Sequence, residues 1–328
     1  MSNLDSKFIS LLKFKTQKDY FEYDFLKNVD DTTEIIEIEN FDRNLIKKCI
    51  VNNNFFLLPN NITYVRQTQS FESIIESLSK NKKKKIRKLL KNFEKLQEEK
   101  NLQIILEDQV SQELFDKWFK LYTRCLSEKE RGVLLLNKKW PTIDIDTCTK
   151  MGVFVLQGDE VVGGIVGRSF DKNSWIDRRF SISYSAIDKD FKSTGINDYI
   201  NLLIIELAYK NNFKLISRGK DTNLYGKHLS SGIPIFKCSL GYEIIPYKSK
   251  PDILIKFKNL KLFNFPIFFV SYLNESTNYL AANLIINDSL DDINSSDLTR
   301  YKLPGCDILR VYKYIQGKEL ELVKEIID

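Results

Sequence analysis

Three consecutive segments constrain the fold more than any others in this chain. Trp175–Ala186 alternates like a strand, Ile187–Asn197 (IDKDFKSTGIN) is a polar turn, and Asp198–Asn211 carries the apolar stripe of a helix. A strand that feeds a helix through a short turn demands α/β layering, because the helix must pack its apolar face back onto a sheet. The same junction makes a place for an anion. The first backbone N–H groups of a helix have no internal partner, and the positive end of the helix dipole lies there. Within the turn, Lys192 offers a cation, and Gly195 offers a position where backbone can approach a ligand closely.

The surrounding pattern extends this α/β reading. Residues 1–66 read as a small α/β region. An amphipathic start (Phe8, Leu11, Leu12, Phe14) precedes a helix-compatible Asn40–Val51, then strands Phe55–Leu58 and Ile62–Arg66 about a Pro59-Asn60-Asn61 turn. From Phe71 the apolar spacing predicts one helix of about thirty residues, ~45 Å long, kinked or projecting at 79–85. Strand Leu102–Leu106, helix Gln112–Leu126 and strands Gly152–Leu156 and Val161–Arg168 follow, the last two joined by the hairpin signal Gln157-Gly158-Asp159-Glu160. After the 175–211 unit come strand Leu215–Ser217, a short helical end Phe236–Gly241 and strand Tyr242–Pro246. The remainder offers strands Ile253–Phe257, Ile267–Tyr272 and Leu284–Ile286, a polar connector Asp288–Asp297, and Leu309–Tyr314 before a terminal helix.

Composition narrows the class. With 43% hydrophobic residues in 328, the chain can bury a sizeable core. No run reaches the ~18–20 apolar residues of a membrane span, and the N-terminus lacks a secretory pattern, which together point to a cytoplasmic protein. The five cysteines (Cys49, Cys125, Cys148, Cys238, Cys306) are scattered and there is one His, so neither a metal site nor a disulfide framework is expected. The net charge of +6 is local rather than diffuse. Lys80–Lys100 holds ten Lys/Arg against three Glu, a net +7, which leaves −1 for everything else. Such a helix is either a solvated face or a contact for phosphate-rich partners.

Two stretches resemble known families. Ile187–Asn197 resembles the pyrophosphate loop of GNAT-type acyltransferases, V-D-P-E-Y-R-G-K-G-I-G, with Lys192 at the Arg/Gln position and Gly195 at the central glycine; Ser193 and Asn197 replace the other two glycines. Thr63–Leu106 and Gly219–Tyr242, the latter ending in Phe236, Lys237, Leu240, Gly241 and Tyr242, resemble the FemAB-like and cellulose-biosynthesis-type branch. The resemblance covers roughly residues 63–246. It implies a GNAT-like mixed central sheet flanked by helices (67–246), with the N-terminal α/β region (1–66) and a C-terminal β-containing extension (247–328). A degenerate second lobe is one reading of that extension, although its 80 or so residues do not repeat the GNAT pattern as a two-lobed member's would. It further implies transfer of an acyl group from acyl-CoA, as co-substrate and without a metal, to a small-molecule or peptide amine. Lys192, Ser193, Thr194, Gly195, Ile196 and Asn197 would then hold the donor's phosphates.

Amide-forming transfer needs an uncharged amine, and hence a base. Asp177 is one candidate, unless it is a surface carboxylate beside Arg178 and Arg179. Tyr184 is a candidate acid for the departing thiolate, or else a core tyrosine. His228, the sole His, is the natural titrating group near neutral pH. Asp221 and Asn223, just past the Leu215–Ser217 strand, are candidates for acceptor contacts. Two other readings stay open: a FemAB-like aminoacyltransferase that draws on charged tRNA through the Lys80–Lys100 helix, and a non-catalytic nucleic-acid or protein-binding module.

Overall fold

In the computed structural model, the described residues are 11–15, 35–39, 55–128, 134, 136–143, 148–169, 179–226, 229–247, 250–258, 260, 266–273, 279–287, 298–315 and 320–327. The expected helix Asn40–Val51 and connector Asp288–Asp297 lie outside them. The chain divides into two compact units. One comprises residues 1–63, 220–236 and 243–328, the other 64–219 and 237–242. The first and last stretches of the sequence therefore belong to one unit, where three successive regions were expected.

The elements in chain order begin with strands β1 (Leu11–Lys15), β2 (Ile35–Glu39), β3 (Phe56–Leu58) and β4 (Asn61–Gln67). Helices α1 (Phe71–Ser77) and α2 (Lys80–Lys100) follow, then β5 (Leu102–Glu107), α3 (Gln112–Ser127), β6 (Lys150–Gln157), β7 (Glu160–Ser169) and β8 (Arg179–Ile187). Next come α4 (Ile196–Lys210), β9 (Leu215–Thr222), α5 (Gly232–Ser239) and β10 (Glu243–Pro246). β11 (Ile253–Phe257), β12 (Ile267–Tyr272), β13 (Leu280–Asn287), β14 (Ile308–Tyr314) and β15 (Glu321–Ile327) complete the chain.

The unit holding 64–219 is a mixed sheet flanked by helices. Its strand order is β4-β9-β8-β7-β6-β5. The ladders β5–β6, β6–β7 and β7–β8 are antiparallel and β8–β9 is parallel. On α3, Leu114, Phe115, Trp118, Leu121 and Tyr122 recur at helical spacing and are buried with Phe154 and Leu156 of β6. The alternate residues Val153 and Val155 are equally buried on the opposite face, and there α4 packs against β6 and β7. Gly164 admits Trp118: a Cβ at that position would stand 2.6 Å from the indole Cδ1. Ser70 and Ser111 start α1 and α3 by accepting the N–H of Ser73 and Leu114.

The expected thirty-residue helix is two. Leu78 turns extended (ψ 156°) and Ser79 begins α2, so the break precedes the lysine run.

The other unit has two four-stranded sheets, ordered β1-β2-β11-β3 and β12-β13-β14-β15. β10 runs beside the Asn61 end of β4, where Tyr247 N–H donates to Asn61 O at 2.9 Å. Four readings need correction here. β1 replaces the amphipathic start, and β2 was not anticipated. β13 is eight residues long, not three. The terminal segment is a strand, β15, pairing antiparallel with β14; its ELVKEII run suits an edge strand better than a helix stripe. Among the described residues no helix is long and apolar enough to cross a membrane.

Candidate functional site

The parallel β8–β9 ladder covers only Arg179–Ile182 against Leu215–Arg218. Residues 183–187 of β8 have no β9 partner, and they lead through a turn at Lys189–Phe191 into α4. An opening at the carboxyl ends of parallel strands is where α/β sheets take ligands. Gly195, the N-cap of α4, sits at φ +88°, a backbone that side chains with a Cβ rarely adopt. Thr194 Oγ1 donates to Phe191 O (2.7 Å) and accepts from Ile196 N–H (3.3 Å), so it caps one amide of the first turn itself. Asp188 Oδ1 accepts from Asp190 N–H (3.0 Å) and its other oxygen pairs with Arg124.

The lysine-rich α2 lies over this junction. Lys85, Lys88, Leu89, Asn92, Lys95, Leu96, Glu99, Ser193 and Thr194 line a cavity of about 550 Å³. Lys85, Lys88, Asn92 and Lys95 follow an i, i+3, i+7, i+10 spacing, so the three ammonium groups line one face over ~15 Å of axis. Lys83 and Arg87 point elsewhere and both pair with Glu76. Lys82 and Lys85 reach the buried carboxylate of Asp198, in the first turn of α4, at 2.7 and 3.1 Å. Thus the two sequence features that suggested phosphate chemistry, the loop and the basic helix, share one cavity.

The loop residues divide. Ser193 is exposed and Thr194 half-buried, and both face the lysines. Gly195 is buried under Leu89 and Lys85 of α2. A Cβ there would stand 3.6 Å from Leu89 Cδ2, which is ordinary contact; the positive φ is what favours glycine. Ile196 is core, and the half-buried Asn197 presents its carbonyl to Asn201 Nδ2 at 2.7 Å. Lys192 is exposed but does not line the cavity. Its charge is felt at Cys125, whose thiol burial pushes up while Arg124 and Lys192 draw it down.

Behind the last β8–β9 rung lies a buried basic group that the sequence reading did not single out. Arg218 donates to Asn201 Oδ1. Lys237 Nζ donates to Arg218 O (3.2 Å) and sits 4.3 Å from the Tyr64 ring centroid. Arg66 donates to Leu240 O and to Gln69 and Ser77. Tyr242, fully buried beside Arg66 and Arg218, has its hydroxyl pushed up to about 12 by burial, against the downward pull of the two guanidinium groups. A sequence signal existed only at Arg66, which follows the largely apolar run Ile62–Val65 of β4; Arg218 lies in the polar end of β9.

Of the remaining candidates, Asp177 and His228 lie outside the described residues. Tyr184 is half-buried against Tyr122, ring centroids 5.6 Å apart and edge to face. Asp221 is inside β9, which runs to Thr222 rather than ending at Ser217, and it accepts from Tyr225 Oη at 2.8 Å. Asn223 is buried and ties main chain together. Its buried amide donates to Pro59 O (2.8 Å) and Val270 O (2.6 Å) and accepts from Val270 N–H (2.8 Å). Asp221 and Asn223 both belong to the unit of residues 220–236. Among the described residues no group of His, Cys, Asp and Glu is arranged to hold a metal.

No protein-family model matches the chain, and no curated protein matches it. Solved structures resemble it in part. FemX is 10% identical with a TM-score of 0.41, covering 71% of this chain and 75% of its own. L-PGS from Bacillus licheniformis is 12% identical with a TM-score of 0.39, covering 72% of each chain. The aminoglycoside acetyltransferase meta-AAC0020, from an uncultured soil metagenomic sample, is 13% identical with a TM-score of 0.30, covering 37% of this chain and 78% of its own.

Proposed function

We propose that this protein transfers an acyl group from a phosphate-bearing donor, an acyl-CoA thioester, to a small-molecule or peptide amine. The observation that carries the reading is the cavity in which Lys85, Lys88 and Lys95 face Ser193 and Thr194 at the head of α4. A phosphate chain held there would lie at the turn that continues the end of β8 left uncovered by β9. Those backbone N–H groups along residues 183–187 that face away from β7 are then the donors available to a thioester carbonyl, and stabilising the developing oxyanion is the largest service such a site renders. Positioning supplies much of the rest. Tyr184, on the same stretch of β8, is the candidate acid for the leaving thiolate; Asp177 and His228 are the candidate bases. Lys192, outside the cavity, is the residue of the loop from which we expect least.

A second reading, aminoacyl transfer from charged tRNA, is favoured by the length of the lysine stripe. Three lysines over ~15 Å exceed what one pyrophosphate occupies and suit a nucleic-acid backbone. The deciding experiment supplies labelled acyl-CoA thioesters and labelled aminoacyl-tRNA in parallel to a panel of amines. Amide formed from acyl-CoA supports the first reading and amide formed from aminoacyl-tRNA the second. Polyanion binding with no transfer from either donor would refute both and make the protein a binding module.

A further inference from the structure

Among the described residues Asp198 is the buried carboxylate that pairs with a lysine of the anion cavity, and nothing in the acyl-transfer reading calls for it. It occupies the first turn of α4, the position where a helix favours negative charge. Its side chain is 6% exposed, and it takes Lys82 on Oδ1 and Lys85 on Oδ2. The two lysines differ. Lys82 is 13% exposed and does not line the cavity, whereas Lys85 is 56% exposed and does. Lys85 is therefore shared between an internal anion and the open cavity.

Resting on the donor-site reading above, we infer that Asp198 is a specificity-determining residue: an internal anion that bars single phosphates from the cavity and admits polyphosphates. A ligand phosphate at Ser193 and Thr194 must draw Lys85 away from Asp198 and tolerate that carboxylate's field nearby. A lone orthophosphate would gain Lys85 only by stripping a buried carboxylate of one of its two cations, which is costly in a low-dielectric setting. A chain of two or more phosphates reaches Lys88 and Lys95 as well, both on the same face of α2 and neither paired with Asp198. Lys95 already meets Glu99 at 3.5 Å, an exposed pair that a phosphate can displace. The helix end is thus pre-neutralised near the loop and left cationic further along α2, which grades ligands by the number of phosphates they carry.

The test compares the wild type with Asp198→Asn, which keeps the shape of the side chain and removes its charge, using calorimetric titration of orthophosphate and pyrophosphate at fixed low salt. The expected result is a gain of tenfold or more in orthophosphate affinity, equivalent to about 1.4 kcal/mol, with a smaller gain for pyrophosphate, so that discrimination narrows. Lys85→Gln in the Asp198→Asn background should cancel the orthophosphate gain, which separates a local effect from a general rise in positive charge. Should Asp198→Asn unfold, Lys82→Gln serves instead: it leaves Asp198 with Lys85 alone, and orthophosphate binding should weaken while pyrophosphate binding changes less. Equal orthophosphate affinity in wild type and Asp198→Asn, with pyrophosphate bound by both, overturns the inference and leaves the donor site standing. Absence of pyrophosphate binding in both proteins overturns the inference and the donor site together.

Discussion

Tyr242 is a buried hydroxyl with no hydrogen-bond partner among the described residues, held between Arg66 and Arg218. Such a group costs desolvation without repayment, so Tyr242→Phe should leave stability unchanged or raise it by about 1 kcal/mol. Its pH dependence has a definite sign. The phenol titrates near 10 in the unfolded chain and near 12 in the folded one, so its contribution is whole below pH 10 and is lost as pH rises toward 12. A two-unit displacement corresponds to at most about 2–3 kcal/mol. Urea titrations at pH 8 and pH 11 should show that Tyr242→Phe loses less stability over that interval than wild type. An equal loss would mean that the alkaline limb belongs to other raised tyrosines, such as Tyr272 beside Asp252. The candidate site was legible in the sequence only where chemistry is local. Ser193 and Thr194 announced themselves by following a strand and preceding a helix. Asp198 did not, because an acid in a first helical turn is ordinary, and its two lysines lie well over a hundred residues upstream.

At the scale of elements, α2 is a device with sides rather than a uniform basic rod. Lys85, Lys88 and Lys95 face the cavity, whereas Lys83 donates to Glu76 O at 2.9 Å and to its carboxylate at 2.8 Å. Each cavity lysine that neutralises a phosphate should add its share to the salt dependence of polyanion binding. Lys88→Gln with Lys95→Gln is expected to lower the slope of log affinity against log salt by one to two, and Lys83→Gln to leave it alone, as measured with a short single-stranded oligonucleotide. Equal slopes for all three would show that the charge acts diffusely. Asn223 makes the complementary case for a strand. It holds the turn before β4 to β12 through three main-chain bonds, so Asn223→Ala should cost about 2–3 kcal/mol in thermal or urea unfolding. Helices with strong stripes, such as α3, and the β6–β7 hairpin were legible from periodicity. β2 and the full length of β9 were not, because IIEIE is too short to outweigh its acids and S-R-G-K-D-T reads as a polar loop when its neighbours are unknown.

For the whole molecule, the decisive fact is that one unit is assembled from the two ends of the chain. β11 lies between β2 and β3 and is antiparallel to both: Leu254 pairs with Ile38 on one side and Leu57 on the other. Composition along the sequence could not show this, since a strand's partner is set by register and facing side chains rather than by position in the chain. The reading of 247–328 as a degenerate second lobe makes a contrary prediction, for a lobe can be removed. Deleting 247–328 would take away β11 and uncover Ile35, Ile36, Ile38, Leu57 and Leu58, each at most 3% exposed. At ~1.5–3 kcal/mol for each large apolar side chain, the loss is on the order of 10 kcal/mol, comparable to the entire stability of a domain. The same deletion would remove Val270, to which Asn223 is tied, and Pro304, whose carbonyl accepts from Ile244 N–H at 2.9 Å. The truncated chain is therefore expected to aggregate on expression or to bind an apolar dye without a cooperative melt. A soluble 1–246 fragment that unfolded cooperatively would show that the C-terminal segment is a separable lobe after all.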